Sequence, residues 1–160
     1  MNLEEFRKQS QTLKDQNKQF LSRLKKANPR KLDSDFHEAH SNAFDRIDCL
    51  TCANCCKTTS PIFKQKDIEN VAKHIRISPS QFIDKYLHLD KDNDYVLNSA
   101  PCPFLDGDNY CLIYESRPTA CRGYPHTNRK KMFQLLDLTY KNTLVCPAVL
   151  DIVEQLKKVK

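Results

Sequence analysis

Cys49-Leu50-Thr51-Cys52-Ala53-Asn54-Cys55-Cys56 places four thiols within eight residues. Two-residue gaps let successive sulfurs on one tight turn converge on a single ion at about 2.3 Å. Four more cysteines follow: Cys102 and Cys146, each directly before a proline, with Cys111 and Cys121 between them. Proline after a ligand removes a backbone donor and sets the direction in which the chain leaves. Free cysteine can pack as a small hydrophobe, and disulfides are the other non-metal use of sulfur. The tight spacing speaks against the first, and the vicinal Cys55-Cys56 pair against a standard disulfide framework. Cys49, Cys52, Cys55, Cys56, Cys102, Cys111, Cys121 and Cys146 are therefore candidate metal ligands, supplied by several separate elements that a metal would tie together.

Eight thiolates suffice for two closed zinc sites of four sulfurs each, or for one iron-sulfur cluster with a smaller site or reactive thiols besides. The C-x2-C-x2-C run with a remote Cys-Pro has bacterial ferredoxin spacing, although there the fourth ligand follows three residues later. That leans the reading towards an iron-sulfur cluster, with Zn2+ close behind. Such sites carry excess negative charge, and Lys57, Arg117 and Arg122 adjoin ligands or lie near them in sequence. An arginine beside sulfur tunes a redox potential or thiolate reactivity; pairing with Glu115 or Asp106 is its plainer role. His126 is a candidate stand-in for a cysteine, against the commoner use of a loop histidine in hydrogen bonding. His37 and His40, three apart on one helix face with no cysteine nearby in sequence, read as surface residues.

The rest of the composition narrows the function. A chain of 160 residues has one-domain length. No apolar run approaches the roughly 20 residues of a membrane helix, and the opening Asn2-Leu3-Glu4-Glu5 lacks an apolar signal core. A soluble, cytoplasmic protein with no membrane partner is the expectation. Gly107 and Gly123 are the only glycines, which leaves no material for a phosphate loop or a dinucleotide fingerprint. The net charge of +6 divides as +2 over residues 1–48, zero over 49–126 and +4 over 127–160. The cysteine region is not basic, so the charge argues against nucleic acid and for a solvated surface.

Around the cysteines the pattern is helical. Leu3, Phe6, Leu13, Phe20, Leu21, Leu24 and Ala27 predict one long amphipathic helix, with Ser10 and Asn17 interrupting its stripe and Asn28-Pro29 ending it. A second helix is expected from about Asp35, where Glu38 completes a capping-box spacing. This preface either covers the core or docks a protein partner. Ile68, Val71, Ala72 and Ile75 mark a third helix, and Ser78-Pro79-Ser80-Gln81 is the start signal of a fourth that includes Leu87. Asp90 to Asp94 resembles the start of a calcium loop but has Tyr95 where glycine is needed and Pro101 where glutamate is needed. Tyr95-Val96-Leu97 reads as a strand, and 104–114 as a hairpin turning at Gly107. Pro147 opens a last helix with Val149, Ile152, Val153 and Leu156 on one face. The fold class expected is mainly α with a short β-hairpin, a small metal-stabilised cysteine-cluster domain at 49–160 behind an N-terminal helical extension at 1–48.

Taken together, Cys49-x2-Cys52-x2-Cys55-Cys56, Pro101-Cys102-Pro103-Phe104-Leu105, Cys111 through Arg117-Pro118-Thr119-Ala120-Cys121-Arg122-Gly123-Tyr124-Pro125, and Cys146-Pro147 resemble the CxxCxxCC cysteine-cluster family, also called the YkgJ-like zinc- or iron-chelating domain. The resemblance spans about residues 49 to 150 and matches all eight cysteines. It implies metal chelation by zinc or iron. Flagellin lysine-N-methylases are similar in this cluster, which raises a methylase-like protein-modifying enzyme as an alternative, although no glycine-rich adenosylmethionine loop is present. The functions expected are electron transfer, redox sensing or metal handling, with a protein partner; a structural zinc module that presents an interaction surface is the further alternative.

Overall fold

The computed structural model describes residues 2–159. It is mostly helical, with one small antiparallel sheet. In chain order the helices are α1 (Leu3–Thr12), α2 (Lys14–Leu24), α3 (Pro29–Phe44), α4 (Cys49–Cys52), α5 (Asn54–Thr58), α6 (Gln65–His74), α7 (Pro79–Tyr86), α8 (Thr119–Gly123), α9 (Leu136–Asn142) and α10 (Pro147–Val159). The strands are β1 (Ile62–Phe63), β2 (Leu87–Leu89) and β3 (Tyr95–Leu97). The chain divides into two compact units: a helical unit, up to Cys52 and again from Pro125, and a central unit, Ala53–Tyr124. Among the described residues no helix is long and apolar enough to cross a membrane.

In the helical unit, Asn2 starts α1 with a capping box: its side chain accepts from the Glu5 amide at 2.9 Å, and Glu5 accepts from the Asn2 amide at 3.2 Å. The long helix expected over 3–27 is two, because Leu13 adopts φ −90° and ψ 0° between α1 and α2. Ser10 and Asn17 do not interrupt the buried stripe but lie in it, fully or almost fully buried with Phe6, Phe20, Leu21 and Leu24. Asn28 Oδ1 accepts from the amides of Arg30 at 3.0 Å and Lys31 at 3.1 Å, with Pro29 in the first helical position. Asn-Pro thus both ends one helix and starts the next, and Asp35 sits inside α3, paired with Lys31 at 3.1 Å rather than capping. Leu32, Phe36, Ala39 and Ala43 form the apolar face of α3, which packs on α10 and its buried Val149, Ile152, Val153 and Leu156.

His37 and His40 are not plain surface residues. Asp33, His37 and His40 share a face of α3 and hold the segment before α9. Asp33 accepts from the amides of Lys131 and Met132, both at 2.8 Å, His37 Nε2 donates to the Arg129 carbonyl at 2.9 Å, and His40 Nδ1 meets Thr127 Oγ1 at 2.8 Å. Burial, with His37 nearby, lowers the pKa of His40.

The central unit builds on α6, α7 and the sheet. Ser78 and Gln81 form the expected capping box, at 3.2 and 2.9 Å, with Pro79 in the first helical position. Helix α7 stops at Tyr86, one residue short of the expectation, and Leu87 is instead the buried first residue of β2. The strand order is β1-β3-β2, with Ile62 opposite Val96, and Leu87 and Leu89 opposite Leu97 and Tyr95. The turn between β2 and β3 is the acidic run: Asp90 Oδ1 accepts from the amides of Asp92 at 2.8 Å and Asp94 at 3.0 Å. The segment expected to be the hairpin, 104–114, makes a single bridge, Leu105 to Cys111. Asp106 gathers the amides of Asp108 and Tyr110 there, at 2.9 and 2.7 Å, and a 3-10 turn at Tyr114–Ser116 follows at once, so no ladder extends. Asn109, at φ 65°, takes the left-handed position in this turn.

Candidate metal centre

The eight cysteines fall to both units. Asp48 starts α4: its Oδ1 accepts from the Leu50 amide at 2.9 Å, and its carbonyl from Thr51 Oγ1 at 2.9 Å. One helical turn then carries Cys49 and Cys52. Ala53 breaks the helix with φ 46° and ψ 19°, a left-handed conformation that costs a non-glycine residue about 1 kcal/mol. A second short helix, α5, presents Cys55 and Cys56 with their sulfurs 3.9 Å apart.

Cys146 stands at the entrance to α10, its amide bonded to the Asn142 carbonyl at 2.8 Å, while Asn142 Nδ2 donates to the Pro125 carbonyl at 3.2 Å. Burial pushes the Cys146 thiol up to about 12, opposed by the backbone amides of Val149 and Ala148; Cys49 and Cys52 raise it further. These three thiols of the helical unit are electrostatic neighbours.

In the central unit, Cys56, Cys102, Cys111 and Cys121 are electrostatic neighbours: Cys56 raises the other three, Cys111 raises Cys102, and Cys102 and Cys111 raise Cys121. The Cys102 amide donates to the Cys56 carbonyl at 2.8 Å, which ties two of the ligand-bearing segments by backbone. Burial raises Cys102 and Cys111, and backbone amides of Phe104, Leu105 and Ile113 partly offset it. Burial drives Cys121 up to about 12, with the other three thiols adding to the shift. Cys56 goes the other way, to about 7: the hydrogen bond from Cys55 is the main cause, burial opposes it, and Lys57 and Arg117 assist. Arg117 is the cation common to Cys56, Cys111 and Cys121. It is fixed by its Nε bond to the Tyr114 carbonyl at 2.7 Å and by stacking 3.5 Å above the Tyr114 ring. Arg122 instead donates to Thr119 Oγ1 at 3.3 Å.

His126 lies in the helical unit at φ 66°, and burial with Arg129 nearby lowers its pKa. Among the described residues no group of three or more His, Cys, Asp or Glu side chains already stands in metal-holding geometry. The central thiols are thus neighbours rather than a closed cage. Their donor chemistry nevertheless fits a soft metal: clustered sulfurs, backbone amides aimed at Cys102 and Cys111, and one shared guanidinium. Sequence reasoning missed Asp67, buried in the central unit and bonded to Thr119 two residues before Cys121. Its position three residues after the α6 N-cap was the visible signal.

Such an arrangement is a thiol-rich site whose donors suit metal chelation. Residues 48–146 match the model of the CxxCxxCC family, described as a zinc- or iron-chelating domain, and the chain belongs to that family. No curated protein and no solved structure matches the chain.

Proposed function

We propose that Cys56, Cys102, Cys111 and Cys121 hold one metal centre, an iron-sulfur cluster by preference, and that the protein works in electron transfer, redox sensing or metal handling. The Cys102 amide bonded to the Cys56 carbonyl at 2.8 Å, together with the charge influence that links each pair of these four thiols, carries this reading. Binding replaces three thiol protons, held on by burial, with metal bonds, and Arg117 offsets the resulting charge. Backbone amides directed at sulfur are a means of setting the potential of a cluster. A protein that exchanges electrons or metal with the centre is the partner this function needs. Cys49, Cys52 and Cys146 supply a second group of sulfurs.

Anaerobic purification followed by elemental analysis, sulfide assay and a visible spectrum distinguishes the two metals, and a serine scan of the cysteines locates the centre. Each of Cys56→Ser, Cys102→Ser, Cys111→Ser and Cys121→Ser is expected to lose the same complement of metal. Brown protein with iron and acid-labile sulfide supports the cluster; colourless protein with zinc supports the zinc reading. Full metal retention by any one of those four variants removes that residue from the site, and retention by all four overturns the proposal.

A further inference from the structure

We infer that Asp67 is the positioning residue of the four-thiol site, acting as an external cap on the helix that carries Cys121. This rests on the reading that Cys121 shares a metal with Cys56, Cys102 and Cys111. Helix α8 is five residues long and has Pro118 at its N-cap position, with no side-chain cap of its own. A short helix with an uncapped start leaves amide donors unsatisfied and frays readily. Asp67 supplies what Pro118 lacks. Its Oδ1 accepts from the Thr119 amide at 3.0 Å and from Thr119 Oγ1 at 2.9 Å. Its Oδ2 accepts from the Lys64 amide at 3.1 Å, so one carboxylate serves the starts of both α6 and α8.

The clamp has a rigid base. Asp67 is 4% exposed, and the next turns of α6 place Ile68, Val71 and Ala72 at zero exposure in the core of the central unit. Arg122 Nη2 adds a bond to Thr119 Oγ1 at 3.3 Å. Cys121 follows Thr119 by two residues, with its amide bonded to the Pro118 carbonyl at 2.9 Å, so the Asp67 contact fixes where that sulfur lies before metal arrives. Without it, metal binding would have to order α8 as well as bind, and affinity would fall by that ordering cost.

Full-length protein tests this by competition for zinc against a chromophoric chelator, following the ion that Cys121→Ser loses. Loss of a cap of this kind predicts affinity lower by about tenfold in Asp67→Asn and about fivefold in Thr119→Val, while Thr119→Ser, which keeps the hydroxyl, stays within about twofold of the parent. The cobalt(II)-loaded Asp67→Asn protein should show an altered sulfur-to-metal charge-transfer band and faster hydrogen exchange at 119–123, with α7 unchanged. Wild-type affinity in both Asp67→Asn and Thr119→Val overturns the inference, as does a loss in Thr119→Ser equal to that in Thr119→Val. If Asp67→Asn does not fold, the Thr119 pair decides alone, since Thr119 is exposed. Full metal content in Cys121→Ser overturns instead the reading on which the inference stands.

Discussion

The unit that contains Cys49, Cys52 and Cys146 has a helical core in which Phe6, Leu32, Phe36, Val149, Ile152 and Val153 are fully buried. The central unit gathers nine buried residues, from Phe63 to Ile113, around short helices and a sheet whose strands run two or three residues. It holds five of the eight thiols. Apolar burial contributes about 25 cal/mol per Å2, and small units with few buried side chains commonly need a metal or a cross-link to stay folded. The contrast leads to an expectation: in the central unit, where thiols are denser and the apolar core is smaller, the proposed metal ligation should contribute to folding, while packing carries the helical unit.

Removing metal with a chelator is the strongest way to break that comparison. Structural metal supplies on the order of 10 kcal/mol in domains that depend on it. Hydrogen exchange should therefore lose protection throughout α6, α7 and β3 while α3 and α10 keep theirs. Equal loss in both units, or in neither, would refute the division of labour.

Acid should do the same work by degrees. At pH below 7 all four central thiols of the metal-free protein carry protons, because Cys121 is pushed up to about 12, Cys102 and Cys111 are raised, and Cys56 lies near 7. Metal binding then releases about four protons, and log affinity should rise about four decades per pH unit. Above pH 7 Cys56 is already a thiolate, and the slope should drop to about three. Competition titrations from pH 6 to 8 measure this change; a slope of one or two throughout would mean fewer thiolates at the ion.

Phe36→Ala sharpens the contrast from the other side. Removing a fully buried phenylalanine from the face of α3 that meets α10 should cost about 3–5 kcal/mol in denaturant unfolding. Metal content of the central set should not change. Loss of that metal on this substitution would show the two stabilities to be one.

Local signals were legible where the chain itself supplied both partners. Ser78, Pro79 and Gln81 made the α7 start readable, and the apolar face of α10 was visible from Pro147 to Leu156. Asn28-Pro29 was legible in one direction only, because a residue pair that ends a helix can equally begin one. The expected hairpin at 104–114 was displaced because Asp106 takes nearby amides into its own turn, while Asp90 makes the real hairpin one segment earlier. Cysteine spacing made the metal chemistry legible. It did not show that Cys56 has its electrostatic neighbours among Cys102, Cys111 and Cys121, since that depends on contacts made by distant segments. Asp67 and Thr119, 52 residues apart, were hidden for the same reason.

The central unit is one uninterrupted stretch, whereas the helical unit needs segments from both sides of it. Chains emerge from the ribosome N-terminus first, and units fold as they are completed. Cys121, the last of the four proposed central ligands, is therefore made before α9 and α10, while α3 waits for α10, against which it packs. On the proposed division of the thiols, the four central sulfurs leave the ribosome ahead of Cys146, and the order of translation favours loading of the central set first.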